Sequence, residues 1–396
     1  MMEKATNNVL VKSRIYLDNA STTKPLRFVM DMVNDAIYEQ YGNPSSLHDI
    51  GRKANDAVEN ARKIIADFIG AKPSEIYFTA GGSESDNMAL RGIAPYLKSI
   101  GKTMIVTTEI EHHAVLNTCK ELEKDGFTVI YMPIDQDGRV DIEELHRVME
   151  KYKDQIGLVS IMAVNNEIGS IQLIEDIGDL CQEYHTLFMT DAVQAYGHIL
   201  LNVNEQHIDM LAASGHKIHA LKGIGILYVR DGVPVKSIIT GGGQERGLRA
   251  GTENVFGIIS MGAATEGLAK NMKGNEEYFR ELRNTFFDTL DELSVSYKVN
   301  TDVGVPNIIS LTLPGCESEA MLLLLNQKQV YVSAGSACTA GSLEPSHVLL
   351  ALGLSEHDAS CTIRISMSLI NSGFDMVEAA HAIAECTSQL RSMMEV

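Results

Sequence analysis

The sequence predicts an α/β fold with a mostly parallel sheet, in a large domain that is followed by a smaller one. Short apolar runs closed by small polar residues, such as residues 187–189 and 210–213, are typical of parallel strands covered on both faces. Other segments, such as residues 51–68, carry apolar residues at helical spacing, and strands that alternate with helices indicate a parallel sheet. Helical periodicity over residues 254–293 predicts the connection to the smaller α/β domain.

Length, charge and cysteine usage favour a cytoplasmic enzyme. The chain has 396 residues, 45% of them hydrophobic, which is enough for a sizeable core. Its net charge of −19 argues against nucleic acid or an anionic membrane as the main partner. No apolar run approaches the ~18 residues of a membrane span. The six cysteines form no C-x-x-C pair, so no metal site is predicted, and free thiols suit a reducing cytoplasm.

Two predicted strands deliver a carboxylate and an amine to the same edge of the sheet. Asp191 follows the apolar run 187–189, and Lys217 follows the run 210–213. In parallel sheets, ligands bind beyond the carboxyl ends of the strands. A pyridine cofactor that forms a Schiff base needs a lysine amine and an acid that faces the ring nitrogen. The pair therefore predicts pyridoxal 5'-phosphate (PLP) as the cofactor.

A glycine turn is the candidate phosphate site. Gly82 and Ser83 lie between a strand predicted over residues 76–79 and a helix predicted over residues 86–97. A helix N-terminus after such a turn presents free N–H groups and a partial positive charge, which together bind phosphate. The turn matches neither G-x-G-x-x-G nor a Walker A motif, so it does not indicate nucleotide binding. Glycine in such a turn can also be required by backbone geometry alone. The prediction of a phosphate site therefore depends on the presence of Lys217 at the same edge of the sheet.

Three other polar segments follow predicted strands. The loop at residues 18–23, after the first strand, either borders a pocket or is an ordinary turn, and taken alone the turn is favoured. His112 follows another strand and could lie on a pyridine ring and move protons, although paired histidines more often cap helices or contact solvent. Asn166 follows the strand predicted over residues 158–164, where an amide can bind a phenolic oxygen or a carboxylate, or close a turn.

The C-terminal half adds a candidate nucleophile and a candidate carboxylate-binding residue. Cys338 lies in a tract of small residues over 334–342, which indicates a thiol on a mobile loop rather than in a core. Arg364 lies between apolar residues in the strand predicted over 363–366, which favours bidentate capture of a substrate carboxylate. The glycine-rich segment 241–252 has no regular pattern and is predicted to be a functional loop.

Ten segments in one order between residues 16 and 366 make the chain resemble the cysteine desulfurases of the NifS/IscS type, among the class V aminotransferases. The segments are YLDNASTT, GNPSSLH, FTAGGSESDN, EHHAVL, VNNEIG, DAVQ, SGHKI, GGGQERGLRAGT, GSACTAGSLEPSHVL and TIRIS. The resemblance implies the PLP-dependent aminotransferase-like fold (fold type I). Its large PLP-binding domain, residues 15–260, would hold a mostly parallel seven-stranded sheet. Its small C-terminal α/β domain, residues 261–396 with residues 1–14 nearby, would carry the cysteine loop.

The resemblance also implies a function and site roles. L-cysteine would be converted to L-alanine, with Lys217 as Schiff-base lysine and general base, Cys338 as the sulfur acceptor and His112 as the base for the substrate thiol. The residues implied to hold the cofactor are Gly82, Ser83, His112, Asn166, Asp191, Gln194, Ser214, His216, Lys217 and Thr252. Those implied to orient the substrate are Asn19, Asn166 and Arg364. Thr252 would reach the phosphate of the other subunit, which implies a homodimer.

Two departures from the family's pattern leave local geometry and the sulfur acceptor open. Residues 218–223 replace the Gly-Pro-Lys-Gly turn that many relatives have after the lysine. The chain also stops soon after Met394, without the extended tail with which housekeeping members engage the iron–sulfur scaffold. The expected acceptor is an iron–sulfur scaffold, a tRNA-thiolation relay or a nitrogenase-type system.

Two alternatives remain open from the sequence. A selenocysteine lyase or another class V PLP aminotransferase would share the fold, although Cys338 argues against plain transamination, which needs no thiol. A catalytically silent sulfur carrier or scaffold subunit belongs to a different functional class. It is disfavoured because Lys217, Asp191 and the phosphate loop are all present.

Overall fold

The computed structural model describes residues 14–335 and 345–394 of the chain. The helices are α1 (Arg27–Glu39), α2 (Asp49–Phe68), α3 (Gly82–Ser99), α4 (His113–Lys124), α5 (Ile142–Tyr152), α6 (Ile174–Glu183), α7 (Val255–Ala269), α8 (Met272–Glu292), α9 (Ser318–Gln327), α10 (His347–Ala351), α11 (Glu356–Ser360) and α12 (Gly373–Met394). The strands are β1 (Ile15–Tyr16), β2 (Ile76–Thr79), β3 (Met104–Thr108), β4 (Thr128–Met132), β5 (Ile156–Ser160), β6 (Leu187–Asp191), β7 (Met210–Ser214), β8 (Gly225–Val229), β9 (Lys298–Val299), β10 (Ile308–Thr312), β11 (Val330–Tyr331), β12 (Ser333–Ala334) and β13 (Thr362–Ser366). None of the described helices is long and apolar enough to cross a membrane.

A seven-stranded sheet lies at the centre of the N-terminal part. Its strand order is β2-β8-β7-β6-β5-β3-β4, and among these seven β8 alone runs in the direction opposite to the other six. The strands β3, β5, β7 and β8 are buried along their whole length. Complete burial of this kind is expected where helices cover both faces of a sheet. The predicted α/β class with a mostly parallel seven-stranded sheet is confirmed.

Side chains of the central strands alternate between two hydrophobic cores. Phe188 of β6 packs in the core that includes α2 and α7, whereas Met189 packs in the core that includes α3 and α4. In β7, Leu211 packs in the first of these cores and Met210 packs in the second. Successive side chains of a strand point to opposite faces, so each apolar run supplies both cores. Because the two faces are covered, the strand ends are the positions left for a ligand.

A second sheet, antiparallel and four-stranded, forms the C-terminal part with the order β12-β13-β10-β9. It shares a separate core with α8, α9 and α12. The N-terminal strand β1 pairs in parallel with β11, and Ile15 and Leu17 are buried in this second core. Helix α7 instead packs on the first core as far as Leu268. The predicted domain division at residues 260–261 stays a prediction.

Two helices differ in extent from the sequence patterns. The helical region predicted over residues 254–293 is two helices, because Asn271, with φ −154°, interrupts it between α7 and α8. Asparagine is favoured at helix starts and disfavoured in helix interiors. Helix α3 begins at Gly82, four residues before the predicted start at residue 86. The glycine turn, which was predicted to precede the helix, therefore contains its first residues. Its N-terminus therefore lies at the turn itself.

A buried ion pair fastens the glycine-rich loop 241–252 to strand β2. Arg62 of α2 donates from Nη1 and Nη2 to the two carboxylate oxygens of Glu245 at 2.8 and 2.9 Å. Phe78 N donates to the same carboxylate at 2.8 Å. Both charged side chains are buried, and Glu245 has a φ of +46°. A buried charge requires a close partner, so this pair holds the loop beside the strand that leads into the glycine turn.

Candidate active site

A cavity of about 350 Å³ opens at the carboxyl ends of β6 and β7. Ten of the predicted site residues line it: Gly82, Ser83, His112, Asn166, Asp191, Gln194, Ser214, His216, Lys217 and Arg364. Arg364 comes from β13 of the smaller sheet, whereas the other nine come from the strands, turns and helices of the larger one. The cavity therefore lies where the two sheets meet.

Asp191, the last residue of β6, is 5% exposed. Its Oδ1 accepts a hydrogen bond from Val193 N at 2.8 Å. Burial raises the pKa of this carboxyl group, and His112, the Val193 N–H group and Lys217 offset only part of that rise. A positive neighbour and an N–H donor both favour the ionised form. Asp191 is thus suited to stabilise a protonated group in the cavity.

Lys217 ends a short 3-10 turn that directly follows β7. Its Nζ donates to the carbonyl oxygens of Ala20 and Ser21 at 2.5 and 2.9 Å. Gln194 Nε2 donates to the same Ala20 oxygen at 2.8 Å. The loop at residues 18–23 therefore borders the cavity, and it orients the amine and the amide through its backbone.

His219 closes the turn after Lys217, where the chain departs from the family's pattern. It has a φ of +66°, its N donates to Thr23 Oγ1 at 2.7 Å, and its Nδ1 lies 2.7 Å from Lys24 O. Thr23 Oγ1 also donates to His216 O at 2.9 Å. Left-handed backbone is uncommon outside glycine, and these hydrogen bonds offset its cost. The turn is held in place without the usual glycine and proline.

The start of α3 has the features of an anion site. Its N-cap is Gly81, which has no side chain to accept from the first N–H groups at Gly82 and Ser83. A Cβ atom on Gly82 would meet Val193 Cγ2 at 2.6 Å, so only glycine fits there. Buried Ser214 Oγ has no hydrogen-bond partner among the described residues. A phosphate group offers the acceptors that these donors lack.

Two further contacts set the charge around this anion site. Burial, Lys217 and Lys222 lower the pKa of His216 to about 4, so its ring is neutral at pH 7 and can donate one N–H group. Glu84 lies in the first turn of α3, where its charge would repel a phosphate. Arg249 Nε binds its carboxylate at 2.8 Å. The ion pair offsets that repulsion.

Arg364 of β13 lines the cavity and is 2% exposed. Its Nη1 donates to Asn166 O at 2.9 Å, and its Nη2 donates to Asp18 Oδ1 at 3.0 Å and to Ser21 Oγ at 2.7 Å. Its Nε is buried and has no hydrogen-bond partner within the described ranges. A buried N–H group without an acceptor is costly, so a carboxylate bound in the cavity would stabilise this side chain.

His112 is the N-cap of α4, and its Nδ1 accepts a hydrogen bond from Ala114 N at 3.1 Å. In a neutral ring this leaves the proton on Nε2. Its neighbour Glu111, which the sequence did not single out, is fully buried. Burial raises the pKa of Glu111 to about 8, although Met162 N and Thr108 Oγ1 donate to its carboxylate. The sequence signal that could have identified Glu111 is an acid three residues after a buried strand.

Four ionisable residues that line the cavity were not predicted: Asp86, His113, Glu167 and His347. The rings of His113 and His347 lie 4.7 Å apart, and His347 Nε2 lies 3.1 Å from Glu111 O. Burial, His347 and His112 lower the pKa of His113. Ser346 Oγ donates to the buried Glu167 carboxylate. These contacts hold the chain that follows residue 344 against the cavity, and only the fold brings them together.

Two of the predicted site residues that the structure describes, Asn19 and Thr252, do not line this cavity. Asn19 is 4% exposed, and its Nδ2 donates to Ser366 O at 2.8 Å, so its amide ties the loop to β13. Thr252 is exposed on the loop beyond Gly251. Cys338 lies outside the described residues. Their predicted roles with substrate, second subunit and sulfur remain predictions.

The chain matches the family model for aminotransferase class-V over residues 15–377. It is 41% identical over 380 residues to the cysteine desulfurase IscS of Methanosarcina thermophila, which covers 96% of this chain and 93% of that protein. Among solved structures, it is similar to a NifS-like protein with a TM-score of 0.88 and 37% identity, over 95% of this chain and 100% of that one. It is also similar to SspA in complex with cysteine, with a TM-score of 0.79 and 36% identity, over 90% of this chain and 99% of that one. The chain belongs to the aminotransferase class-V family, among its cysteine desulfurases.

Proposed function

We propose that this protein is a PLP-dependent cysteine desulfurase that converts L-cysteine to L-alanine and transfers the sulfur to Cys338 as a persulfide. The observation that carries the proposal is the convergence of Lys217, Asp191, Arg364 and the start of α3 in one cavity. Similarity to a cysteine desulfurase and to a protein solved with cysteine supports cysteine as the substrate.

The residues of the cavity fit PLP. Its phosphate would accept from the first N–H groups of α3 and from Ser214 Oγ, which lacks a partner in the part of the chain described. Asp191 would hold the proton of the pyridine nitrogen, and Lys217 would bind the aldehyde carbon through its amine. When bound, PLP supplies an electron sink that stabilises negative charge at the α-carbon of an amino acid.

Other side chains of the cavity would contact the cofactor ring, bind the substrate and remove the α-proton. Gln194 Nε2 would bind the phenolic oxygen, and the His112 ring would lie on the pyridine face. Arg364 would bind the substrate carboxylate with its unpartnered Nε, while Asp18 and Asn166 hold its other nitrogens. The amine of Lys217 would take the α-proton as general base.

Sulfur transfer requires a thiolate at Cys338, because the thiolate is the nucleophilic form of cysteine. His112 would take the proton of the substrate thiol on Nδ1, and the Ala114 N–H group would then lose its acceptor. The Cys338 sulfur would then form a bond to the substrate sulfur as the carbon–sulfur bond breaks. The electron pair of the broken bond stays on the carbon fragment, which takes up a proton at Cβ, regains the α-proton and leaves as alanine. No external oxidant is required.

Cys338→Ser is expected to lose sulfide release from L-cysteine by at least about 10³-fold, because a hydroxyl group cannot accept sulfur as a persulfide. The measurement is the yield of alanine and sulfide in the presence of a reducing thiol, together with the absorbance of bound PLP. The wild-type protein should form the two products in equal amounts. Cys316→Ser, at a buried cysteine of the second core, is the matched control and should retain both products. Sulfide release by C338S at the wild-type rate would refute Cys338 as the sulfur acceptor.

We further propose that the protein acts as a homodimer and passes its sulfur to an acceptor protein, for iron–sulfur clusters or for a tRNA-thiolation relay. Apolar side chains on and after α1 support the dimer, because they are exposed on the single chain: Phe28, Met32, Ile37, Tyr38, Tyr41 and Leu47. An apolar surface of this kind is typical of subunit interfaces. Thr252 would then contact the phosphate bound by the other subunit.

A further inference from the structure

Asp86 is a buried acid in the cavity for which the reaction described above has no use. It lies in the second turn of α3, is 1% exposed and lines the cavity. Its carboxylate, the carboxylate of Asp191 and a ring nitrogen of His112 all lie within 4.8 Å of one another. Two buried carboxylates this close cannot both be ionised at low cost. The pair must therefore retain a proton over part of the neutral range.

The surroundings of the two acids are unequal. Asp191 accepts from Val193 N and is favoured as an anion by His112 and Lys217. Asp86 Oδ1, by contrast, is buried and has no hydrogen-bond partner among the residues described. A buried carboxylate oxygen that accepts no hydrogen bond disfavours the ionised form of the group. The proton is therefore better placed on Asp86 than on Asp191.

We propose that Asp86 is a positioning residue that carries the single proton of the Asp86–Asp191 pair and thereby leaves Asp191 as the anion that faces the pyridine nitrogen. The statement that Asp191 faces the pyridine nitrogen rests on the proposed function. The location of the proton on Asp86 does not. Asp86 acts through Asp191 and needs no contact with the reacting atoms of the substrate.

The charged groups around the pair agree with this assignment. Burial, Asp191 and Glu111 all raise the pKa of Asp86 well above its ordinary value. Burial also raises the pKa of Glu111 to about 8, so that acid is neutral at pH 7. Among the three acids, Asp191 alone has positive neighbours that lower its pKa. The three acids then carry one negative charge instead of three.

The pH dependence of unfolding measures this proton directly. A carboxyl group whose pKa is raised in the folded chain keeps a proton that the unfolded chain releases above about pH 4. Stability is then lost as the pH rises towards the folded pKa. Asn at position 86 binds no proton in either state. The unfolding constant of the wild-type protein, divided by that of D86N, should therefore rise by up to about tenfold per pH unit between about pH 5 and pH 7.

The experiment is urea unfolding of the full-length wild-type, D86N and D191N proteins across this range. D191N should keep a pH dependence of the same sign but smaller, because burial still raises the pKa of Asp86 whereas the charge of Asp191 no longer does. D67N, at an exposed acid of α2, is the control and should keep the wild-type pH dependence. A wild-type dependence in D86N, or a dependence in D191N as small as that in D86N, would overturn the proposal. Each series is run on the protein as purified and again after hydroxylamine has removed the cofactor. The PLP content of the purified protein is measured from its absorbance. An absence of PLP would contradict the proposed function, and it is detected independently of the pH dependence of unfolding.

Discussion

Replacing Lys217 by Ala is expected to lower kcat for alanine formation from L-cysteine by about 10⁴-fold, the upper end of the range for a general acid or base. The same change removes the amine that would bind the cofactor. The hydrogen bonds found for Nζ are to the carbonyl oxygens of Ala20 and Ser21 at the cavity, so the variant should fold. The measurements are the steady-state rate of alanine formation and the cofactor absorbance that remains attached after borohydride reduction.

Lys24→Ala is the matched control for this variant. Lys24 is exposed on the loop next to the cavity, so its loss should change neither the rate nor the attached cofactor. Borohydride-stable attachment of PLP to K217A at the wild-type level would refute Lys217 as the attachment site. A wild-type rate in K217A would refute its role as base.

Asp191→Asn is expected to lower kcat by about 10²–10³-fold, comparable with the loss of one preorganised electrostatic partner. The amide is nearly isosteric but carries no charge, so it cannot stabilise a proton on the pyridine nitrogen. Asp191→Glu keeps the charge and moves it by one methylene group, so its loss should be smaller. The measurement is the rate of alanine formation with PLP at saturating concentration. A loss in D191N below about tenfold, or a loss equal to that of D191E, would contradict the role of the charge.

The part of the site that follows strand ends was predictable from the sequence. Asp191 and Lys217 directly follow apolar runs, and the carboxyl ends of parallel strands share one edge of the sheet. The loop at residues 18–23 was ambiguous for a physical reason. Small polar residues suit both a turn and a pocket wall, and only the contacts of Lys217 and Gln194 with Ala20 O decide between them.

Other features depend on contacts between distant segments and could not be predicted from local pattern. Arg364 was recognised as an unusual charge in a strand, but its anchors are Asn166 and Asp18, 198 and 346 residues away. In the sequence, Asp86 is one of several polar residues in a predicted helix. Its position beside Asp191 arises only when α3 packs on the sheet. The resemblance to known cysteine desulfurases supplied the roles of residues such as Thr252, which no periodicity reveals.

A mass spectrum of the protein after brief exposure to L-cysteine tests the central claim most directly. The account predicts a gain of one sulfur atom on the peptide that contains Cys338, and a reducing thiol should reverse it. Formation of alanine without any sulfur adduct on Cys338 would contradict it.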